Sequence, residues 1–582
     1  MTNPMNLIQA LEIINKPIGK KASLHRVFLA CGFTPLHLQT FLNAGLRKIL
    51  PNHRIEIETG LFGDLTGNLG RLDPETIDIA VVCLEWVDFD TRLGIRNFGG
   101  WRSTDLIDIV ETVRERSDQM NRVLEKSVQS IPTVCSMPTL PLPPMFSQKT
   151  RESGIWELQL RQIIASLGVS ISKMKGIRVL SSQNLDEMSP MKDRFDARSE
   201  ITAGFPYTLR HASVLGDLLA SITHNPIPKK GLITDLDDTL WSGILGEVGI
   251  DNVSWSLDQH SHEHGLYQQF LSSLASAGVL IGAASKNDKA LVEKVFQRKD
   301  LLVGIEDIFP FEVHWSQKSI SVKRILDIWN IAADSVVFVD DSPMELAEVK
   351  AAFPEIECIP FPKGNHDGVW QLLRQLRDLF GKSFVTEEDA LRMNSIKSAS
   401  TLRNDIKAEG GSPDKFLKNS NAFISFTFNK LPDDRAFELI NKTNQFNLNG
   451  RRLTESEWAS FLRGRHTQLL TVSYKDKYGP LGKIAALLIR LDDEKVYVES
   501  WVMSCRAFSR RIEYQCLKYL FEKFEVDEIV FDYHPTDRNG PLQEFFSQII
   551  GNQPAQHLKV SKTSFSNKSP LLFHQVEEAE NG

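Results

Sequence analysis

Cysteine is scarce and scattered. Cys31, Cys83, Cys135, Cys358, Cys505 and Cys516 are the only six in 582 residues, and no two of them form a CxxC pair. That spacing argues against a zinc site and against a disulfide framework, and a reducing cytoplasm is the expected home. Long apolar runs are also missing: nothing approaches the ~20 residues of a membrane span. The opening MTNPMNLIQALEIINK has no basic region followed by a long apolar core, so no signal peptide is expected. Positive charge is not in excess. The net charge of −7 makes neither nucleic acid nor a membrane surface an expected partner. There is no internal repeat and no long low-complexity tract. What remains is ordinary for a globular chain, 42% hydrophobic and 24% charged. Its length is too great for one core, and about 150 residues per domain suggests three to four domains.

The pattern changes twice along the chain. Residues 1–226 read as strand RVFLACGF, helix PLHLQTFLNAGLRKIL, strands RIEIETG and IDIAVVCLEW, a long helix from Asp105 to Ser130, and the Pro-rich loop SMPTLPLPPMF. Strand–helix alternation of this kind favours a parallel α/β sheet. Residues 227–385 alternate more clearly: strands GLITDL, VLIGAAS, SVVFVDD and IECIPFP, separated by the helices LYQQFLSSLASAG, KALVEKVFQR, SVKRILDIWNI and PMELAEVKAAF. Gly278 ends the first of these helices and Pro343 starts the last. This is a doubly wound α/β domain, whose chemistry is expected beyond the carboxyl ends of its strands. Residues 386–415 are polar and read as a connection. Residues 416–582 mix the strands AFISFTFN, QLLTVSYKD, KIAALLIRLDD, KVYVESWVM and EIVFDYH with helices near 432–443, 454–463, 509–523 and 541–549, an α+β pattern.

The stretch ITDLDDTL places three aspartates within four residues at the end of an apolar strand. Like charges so close repel, so a cation is expected there. Asp235 and Asp237 are two apart and face one side as the chain leaves the sheet. A hard divalent ion such as Mg²⁺ takes carboxylate oxygens and neutralises the repulsion. Three further elements follow in order: Ser285 at the end of IGAAS, Lys318 in HWSQKS just before a helix, and Asp340 with Asp341 at the end of VVFVDD. A nucleophilic carboxylate, a second carboxylate, a hydroxyl, an ammonium and a further metal ligand are the inventory of phosphoryl transfer.

This order and spacing resembles the haloacid dehalogenase superfamily. The resemblance implies that Asp235 is the nucleophile and becomes an aspartyl phosphate, and that Asp237 is general acid and then base. It further implies that Ser285 and Lys318 hold the phosphoryl group, and that Asp235, the Asp237 carbonyl and Asp340 hold magnesium. Between Leu240 and Val279 there is room only for a small flap and one helix, so no large cap is expected. A site without a lid suits a macromolecular substrate, or one covered by another domain. The cluster HSHEH (His260, His262, His264) reads as a polar helix start rather than a metal site.

The stretches DLDDTLWSGILGEVG, SKND, WSQKS, FVDDSPMELAEV and INKTNQFNLNGRRLTESE resemble the FkbH-like family over nearly the whole chain. That resemblance implies a dephosphorylating enzyme that takes the glyceryl group of 1,3-bisphosphoglycerate, or a related unit, and loads it on an acyl carrier protein in natural-product biosynthesis. It also implies an SGNH-hydrolase-like first domain and a GNAT-like third domain. The chain departs from the pattern at Ala284, where glyceryl-loading relatives usually carry a cysteine, so relay through a thioester at that position is not available. Two alternatives stay open: a sugar-phosphate phosphatase joined to an acetyltransferase in surface-polysaccharide synthesis, and a noncatalytic carrier-docking scaffold.

In the first domain Thr34 stands where an SGNH serine is expected, and Thr208 stands three before His211 where an aspartate should be, so a noncatalytic docking or covering role is expected. In the third, Arg506, Ser509 and Arg510 precede a helix whose N-terminus is the expected seat of a CoA or phosphopantetheine phosphate. Phe545 and Phe546 lie where the GNAT resemblance would place a general-acid tyrosine. The asparagine-rich stretch Asn441 to Leu453 reads as a solvated loop, or by resemblance as the lining of an acyl or carrier-arm site.

Overall fold

A computed structural model describes residues 4–19, 22–97, 102–128, 131–146, 152–224, 228–381, 392–393, 396–397, 413–429, 433–477, 479–492, 495–508, 510–552, 554 and 558–579. The expected connection 386–415 lies almost wholly outside them. The chain divides into two compact units, one of residues 1–226 with Thr454–Glu457 and one of Ile227–Leu453 with Trp458–Gly582. Among the described residues no helix is long and apolar enough to cross a membrane.

The first unit is built on five parallel strands, β1 (Ser23–Cys31), β2 (His53–Thr59), β3 (Ile79–Cys83), β4 (Thr133–Ser136) and β5 (Ile177–Val179), in the order β2-β1-β3-β4-β5. Strand residues alternate between two cores. Val27 and Leu29 enter one, Ala30 the other, and Leu38 and Leu42 of the helix Leu36–Ile49 join the first. The strands β4 and β5 and the helix Ile155–Ser172 were not expected.

In the second unit the middle sheet contains β6 (Gly231–Thr234), β7 (Leu280–Ser285), β8 (Ile308–Val313), β9 (Val336–Asp340) and β10 (Glu357–Pro360), all parallel, in the order β10-β9-β6-β7-β8. Apolar packing on both faces explains why these strands read as continuous apolar runs. Leu232, Val337 and Val339 enter one core, while Ile233, Val336 and Phe338 enter the other. The strand β8 was not expected because Pro310 interrupts its run; it lies at the sheet edge, where a missing N–H is tolerated. From β6 the chain winds outward both ways, to β7 and to β9, so the carboxyl end of β6 is the switch point of the sheet.

The third sheet has seven strands, β11 (Phe423–Asn429), β12 (Thr467–Asp476), β13 (Gly479–Asp492), β14 (Lys495–Met503), β15 (Glu528–Phe531), β16 (Leu558–Ser561) and β17 (Gln575–Ala579). Their order is β16-β15-β14-β13-β12-β11-β17. The parallel pair β14–β15 is short, from Val496–Ile529 to Val498–Phe531. Beyond it, the segment Phe446 to Asn449 takes the place of a strand beside β14. Leu448 N donates to the Trp501 carbonyl at 2.9 Å, Met503 N donates to the Phe446 carbonyl at 3.0 Å, and His534 N donates to the Leu448 carbonyl at 3.1 Å.

Candidate active site at the carboxyl ends of the middle sheet

The strands β6, β7 and β9 deliver Asp235, Ser285 and Asp340 to one end of the sheet, the first just past its strand and the others as last residues. Lys318 is the first residue of the helix Lys318–Trp329 and its side chain is 1% exposed. Its Nζ lies 2.6 Å from Asp235 Oδ1, 3.0 Å from Asp340 Oδ2 and 2.9 Å from Glu345 Oε2. Glu345 turns its other oxygen to Lys286 Nζ at 2.9 Å. Burial alone would lower the lysine's affinity for its proton, but three carboxylates hold it well above the ordinary value. Glu345 is likewise kept below the usual carboxylate range, by Lys318 and Lys286, against the opposing effect of burial. Asp340, fully buried and close to Asp235, is pushed up to about 7.

Asp237 sits apart from this cluster. Its Oδ1 accepts from Trp241 Nε1 at 2.9 Å and from Leu245 N at 3.2 Å, and its Oδ2 accepts from Asn287 Nδ2 at 2.9 Å. Burial, then the nearby charges of Asp235 and Asp238, pushes it up to about 6 despite those donors. A carboxyl poised there can give and take a proton near neutrality. Asp238, the third aspartate of the run, has a different task. It adopts a left-handed backbone (φ 52), accepts from Gly243 N at 2.8 Å and pairs with Lys363, tying down the chain that leaves the strand. Asp341 does not join the cluster, and its main-chain N–H donates to Thr239 Oγ1 at 3.1 Å.

Sequence reasoning brought Asp235, Lys318 and Asp340 to one place, and the structure adds Glu345. It stands five residues after Asp340, in the first turn of the helix Pro343–Ala352. That spacing after a strand end was a readable sign, because one helical turn returns a side chain toward the strand it follows. Asp235, Asp340 and Glu345 each place an oxygen within 4.8 Å of the others. Asp235 Oδ1 is buried and accepts no well-directed hydrogen bond, although the ammonium is near. Three carboxylates outnumber the one ammonium they share, and all donors are hard oxygens. The residues therefore fit Mg²⁺, which takes one or a few carboxylates and leaves the rest of its shell to water and phosphate.

The flap expected after β6 is a loop closed by paired hydrogen bonds between Ser242 and Ser254, with one short helix, Leu245–Val248. Ala284 is fully buried in the apolar core with Val322 and Ile325, so its methyl group packs. His260 lies outside the helix His262–Ser276, and His262 is exposed. His264 is buried, bonded through Nδ1 to the Thr239 carbonyl at 2.9 Å and stacked on Phe361.

Several candidate residues of the flanking regions are engaged by neighbouring groups. In the first unit His211 is fully buried, with Nε2 3.0 Å from Thr139 Oγ1 and Nδ1 2.9 Å from Ser189 Oγ. Thr208 caps the helix Leu209–Thr223. Thr34 donates its main-chain N–H to the Gly204 carbonyl. In the third sheet the Arg510 guanidinium is buried against Asp476 at 2.9 Å, so it is committed to a carboxylate rather than offered to a phosphate. The Arg506 side chain and Ser509 lie outside the described residues. The asparagine-rich stretch is buried at its centre and exposed only at Gly450, Arg451 and Arg452. Asn447 is 1% exposed, and its Oδ1 accepts from Asn449 N and Gly450 N. Phe446, Leu448, Phe545 and Phe546 belong to the core.

No family model matches the chain, and no curated protein matches it. Among solved structures, the N-terminal part of the protein BF1531 from Bacteroides fragilis, which contains a phosphatase domain and is complexed with Mg, is similar at a TM-score of 0.51 and 18% identity. The match covers 65% of this chain and 100% of that one. An uncharacterized protein from Corynebacterium glutamicum ATCC 13032 Kitasato matches at 14% identity over 26% of this chain and 98% of its own, with a TM-score of 0.19, too low to carry an argument. The first likeness shows the fold: parallel α/β sheets in an arrangement also found in a phosphatase-containing, magnesium-complexed protein.

Proposed function

We propose that the middle region is a magnesium-dependent phosphoryl-processing site of the haloacid dehalogenase type. We further propose that the chain releases phosphate from an acyl phosphate such as 1,3-bisphosphoglycerate and loads the glyceryl or a related unit on an acyl carrier protein. The observation that carries the first part is the buried Lys318 ammonium held at 2.6–3.0 Å by Asp235, Asp340 and Glu345 at the switch point of the sheet. The second part rests on the motif resemblance and on the short segment between β6 and β7, which among the described residues holds only a small flap and one longer helix.

When bound, magnesium would be held by Asp235, Asp340 and Glu345 and would neutralise charge on phosphoryl oxygens. The chain's own residues supply the rest. Asp235 attacks phosphorus of a phosphate ester, and the bond to the leaving oxygen breaks as Asp237 protonates it. Asp237 then takes a proton from the water that releases phosphate from Asp235. Lys318 and Ser285 hold the phosphoryl oxygens throughout. For an acyl phosphate, Ala284 offers no thiol, so the carrier's phosphopantetheine thiol attacks the acyl carbon directly. Asp237 takes the thiol proton and returns it to the phosphate oxygen as the carbon–oxygen bond breaks, and hydrogen phosphate leaves from the Lys318 and Ser285 cradle.

The test of the first part is inorganic phosphate release with Mg²⁺ across a panel of phosphate esters. Asp235→Asn is expected to lower release by about a thousandfold or more, and equal rates for parent and variant would refute the site. The test of the second part is the intact mass of a holo-carrier incubated with enzyme, Mg²⁺ and 1,3-bisphosphoglycerate. An unchanged carrier alongside active phosphate release would leave the site standing and remove this substrate.

A further inference from the structure

A cavity of about 90 Å³ lies at the other end of the middle sheet, between it and the third sheet's flanking helix, within the second unit. That volume is well above the ~10–15 Å³ a single water needs. Lys230 immediately precedes β6, Leu280 opens β7, and Ser335 immediately precedes β9, so the cavity opens at the amino ends of the strands that present Asp235, Ser285 and Asp340 at their carboxyl ends. It is therefore separate from the phosphoryl site.

Its polar wall is cationic. Arg435 and Lys442 project from the helix Asp434–Lys442 on either side of Glu438, with Arg435 Nη1 2.6 Å and Lys442 Nζ 2.8 Å from that carboxylate. Lys230 Nζ donates to the Lys442 carbonyl at 3.1 Å. With Arg392, four cationic side chains line the cavity beside one carboxylate, which pairs directly with Arg435 and Lys442. The Arg435 side chain is only 10% exposed, yet its Nε is buried with no hydrogen-bond partner. A buried N–H left unpaired costs about 1–3 kcal/mol, and evolution rarely retains one without a ligand or water to receive it. Burial pushes the Lys230 ammonium down to about 8, a sign that its charge is under-compensated. Trp329, Leu439 and Met503 add apolar surface to the lining.

We propose that this cavity binds the phosphate group of a small molecule, with Arg435, Lys442 and Lys230 as its donors and the apolar surface against its carbon part. The Arg435 guanidinium donates through the Nε that now lacks a partner, and Glu438 competes with the ligand for both of its neighbours.

Cys505 lines the same cavity and is half-buried, which makes it a reporter. The experiment is alkylation of the full chain with and without inorganic phosphate or glycerol phosphate, read by peptide mass, with half-buried Cys358 on β10 as control. Both ligands are expected to slow alkylation of Cys505 and not of Cys358, glycerol phosphate at lower concentration. Arg435→Gln is expected to raise the half-protecting concentration by about tenfold or more, and Glu438→Gln to lower it. A misfolded variant cannot produce that second, opposite change. Absence of protection, or the same concentration dependence in parent and both variants, would overturn the proposal. If Cys505 resists alkylation, equilibrium dialysis decides. The parent should reach half-saturation at about tenfold lower phosphate than Arg435→Gln, and superimposable binding curves would overturn the proposal.

Discussion

Lys318 holds a larger share of the site's electrostatics than any other side chain. Its ammonium offsets three carboxylate partners, one of which, Glu345, is also paired with Lys286. Removing one partner of a buried ion cluster typically costs about 3–5 kcal/mol, because uncompensated charge stays behind. Lys318→Met should therefore unfold at lower urea in the absence of metal, and Mg²⁺ should stabilise it more than it stabilises the parent. A metal-induced shift in melting temperature no larger than the parent's would contradict that. His211 tests a second buried group, in the first unit. Burial, then the Arg194 charge, pushes it down to about 3 from an ordinary 6.5, so folding favours the neutral ring. Its contribution is fully present above pH 6.5 and is lost progressively as pH falls toward 3. By pH 5 the loss should reach about 2 kcal/mol. Urea titrations of the parent from pH 7 to 5 should show that slope, and His211→Gln should flatten it.

At the scale of elements, two packings stand out, one under the helix that carries Lys318 and one in the third sheet. The Trp329 ring, at the end of the helix Lys318–Trp329, covers two glycines on adjacent strands. A Cβ added at Gly231 would meet the ring at 2.5 Å, and one at Gly282 would meet it at 2.9 Å. The helix that carries Lys318 is thus seated by a close approach that only glycine allows. Gly282→Ala should destabilise by about 1–3 kcal/mol, and Trp329→Leu in the same chain should recover part of that loss in urea unfolding. The second packing is the Phe446 to Asn449 segment beside β14. Asn447 fixes its turn by accepting two main-chain N–H groups and donating Nδ2 to the Thr443 carbonyl at 3.0 Å. Asn447→Ala leaves those groups unpaired and should cost about 2–3 kcal/mol. Amide hydrogen exchange at Leu448 and Met503, whose N–H groups bond across this pair, should quicken more than exchange at the centre of β13.

For the molecule as a whole, the division into two compact units predicts two calorimetric transitions. The acidic cluster lies wholly in the second unit, so Mg²⁺ should raise the midpoint of one transition and leave the other unchanged. A single transition that shifts as a whole would count against independent units.

The sequence alone determined the local elements and the chemistry that sits on them. An apolar strand followed by Asp-x-Asp, a lysine opening a helix and a strand ending in two aspartates are all short-range patterns, and periodicity and turn chemistry report short-range order directly. It did not reveal β8, whose proline masks it, or β16 and β17, which are short and weakly apolar. Tertiary structure decided which acids converge. Glu345 rather than Asp341 joins Asp235 and Asp340, because a helical turn and a main-chain bond to Thr239 aim the two in different directions. It also turned Asn447 and its neighbours inward and paired Arg510 with Asp476, since both depend on partners tens of residues away that no local pattern encodes.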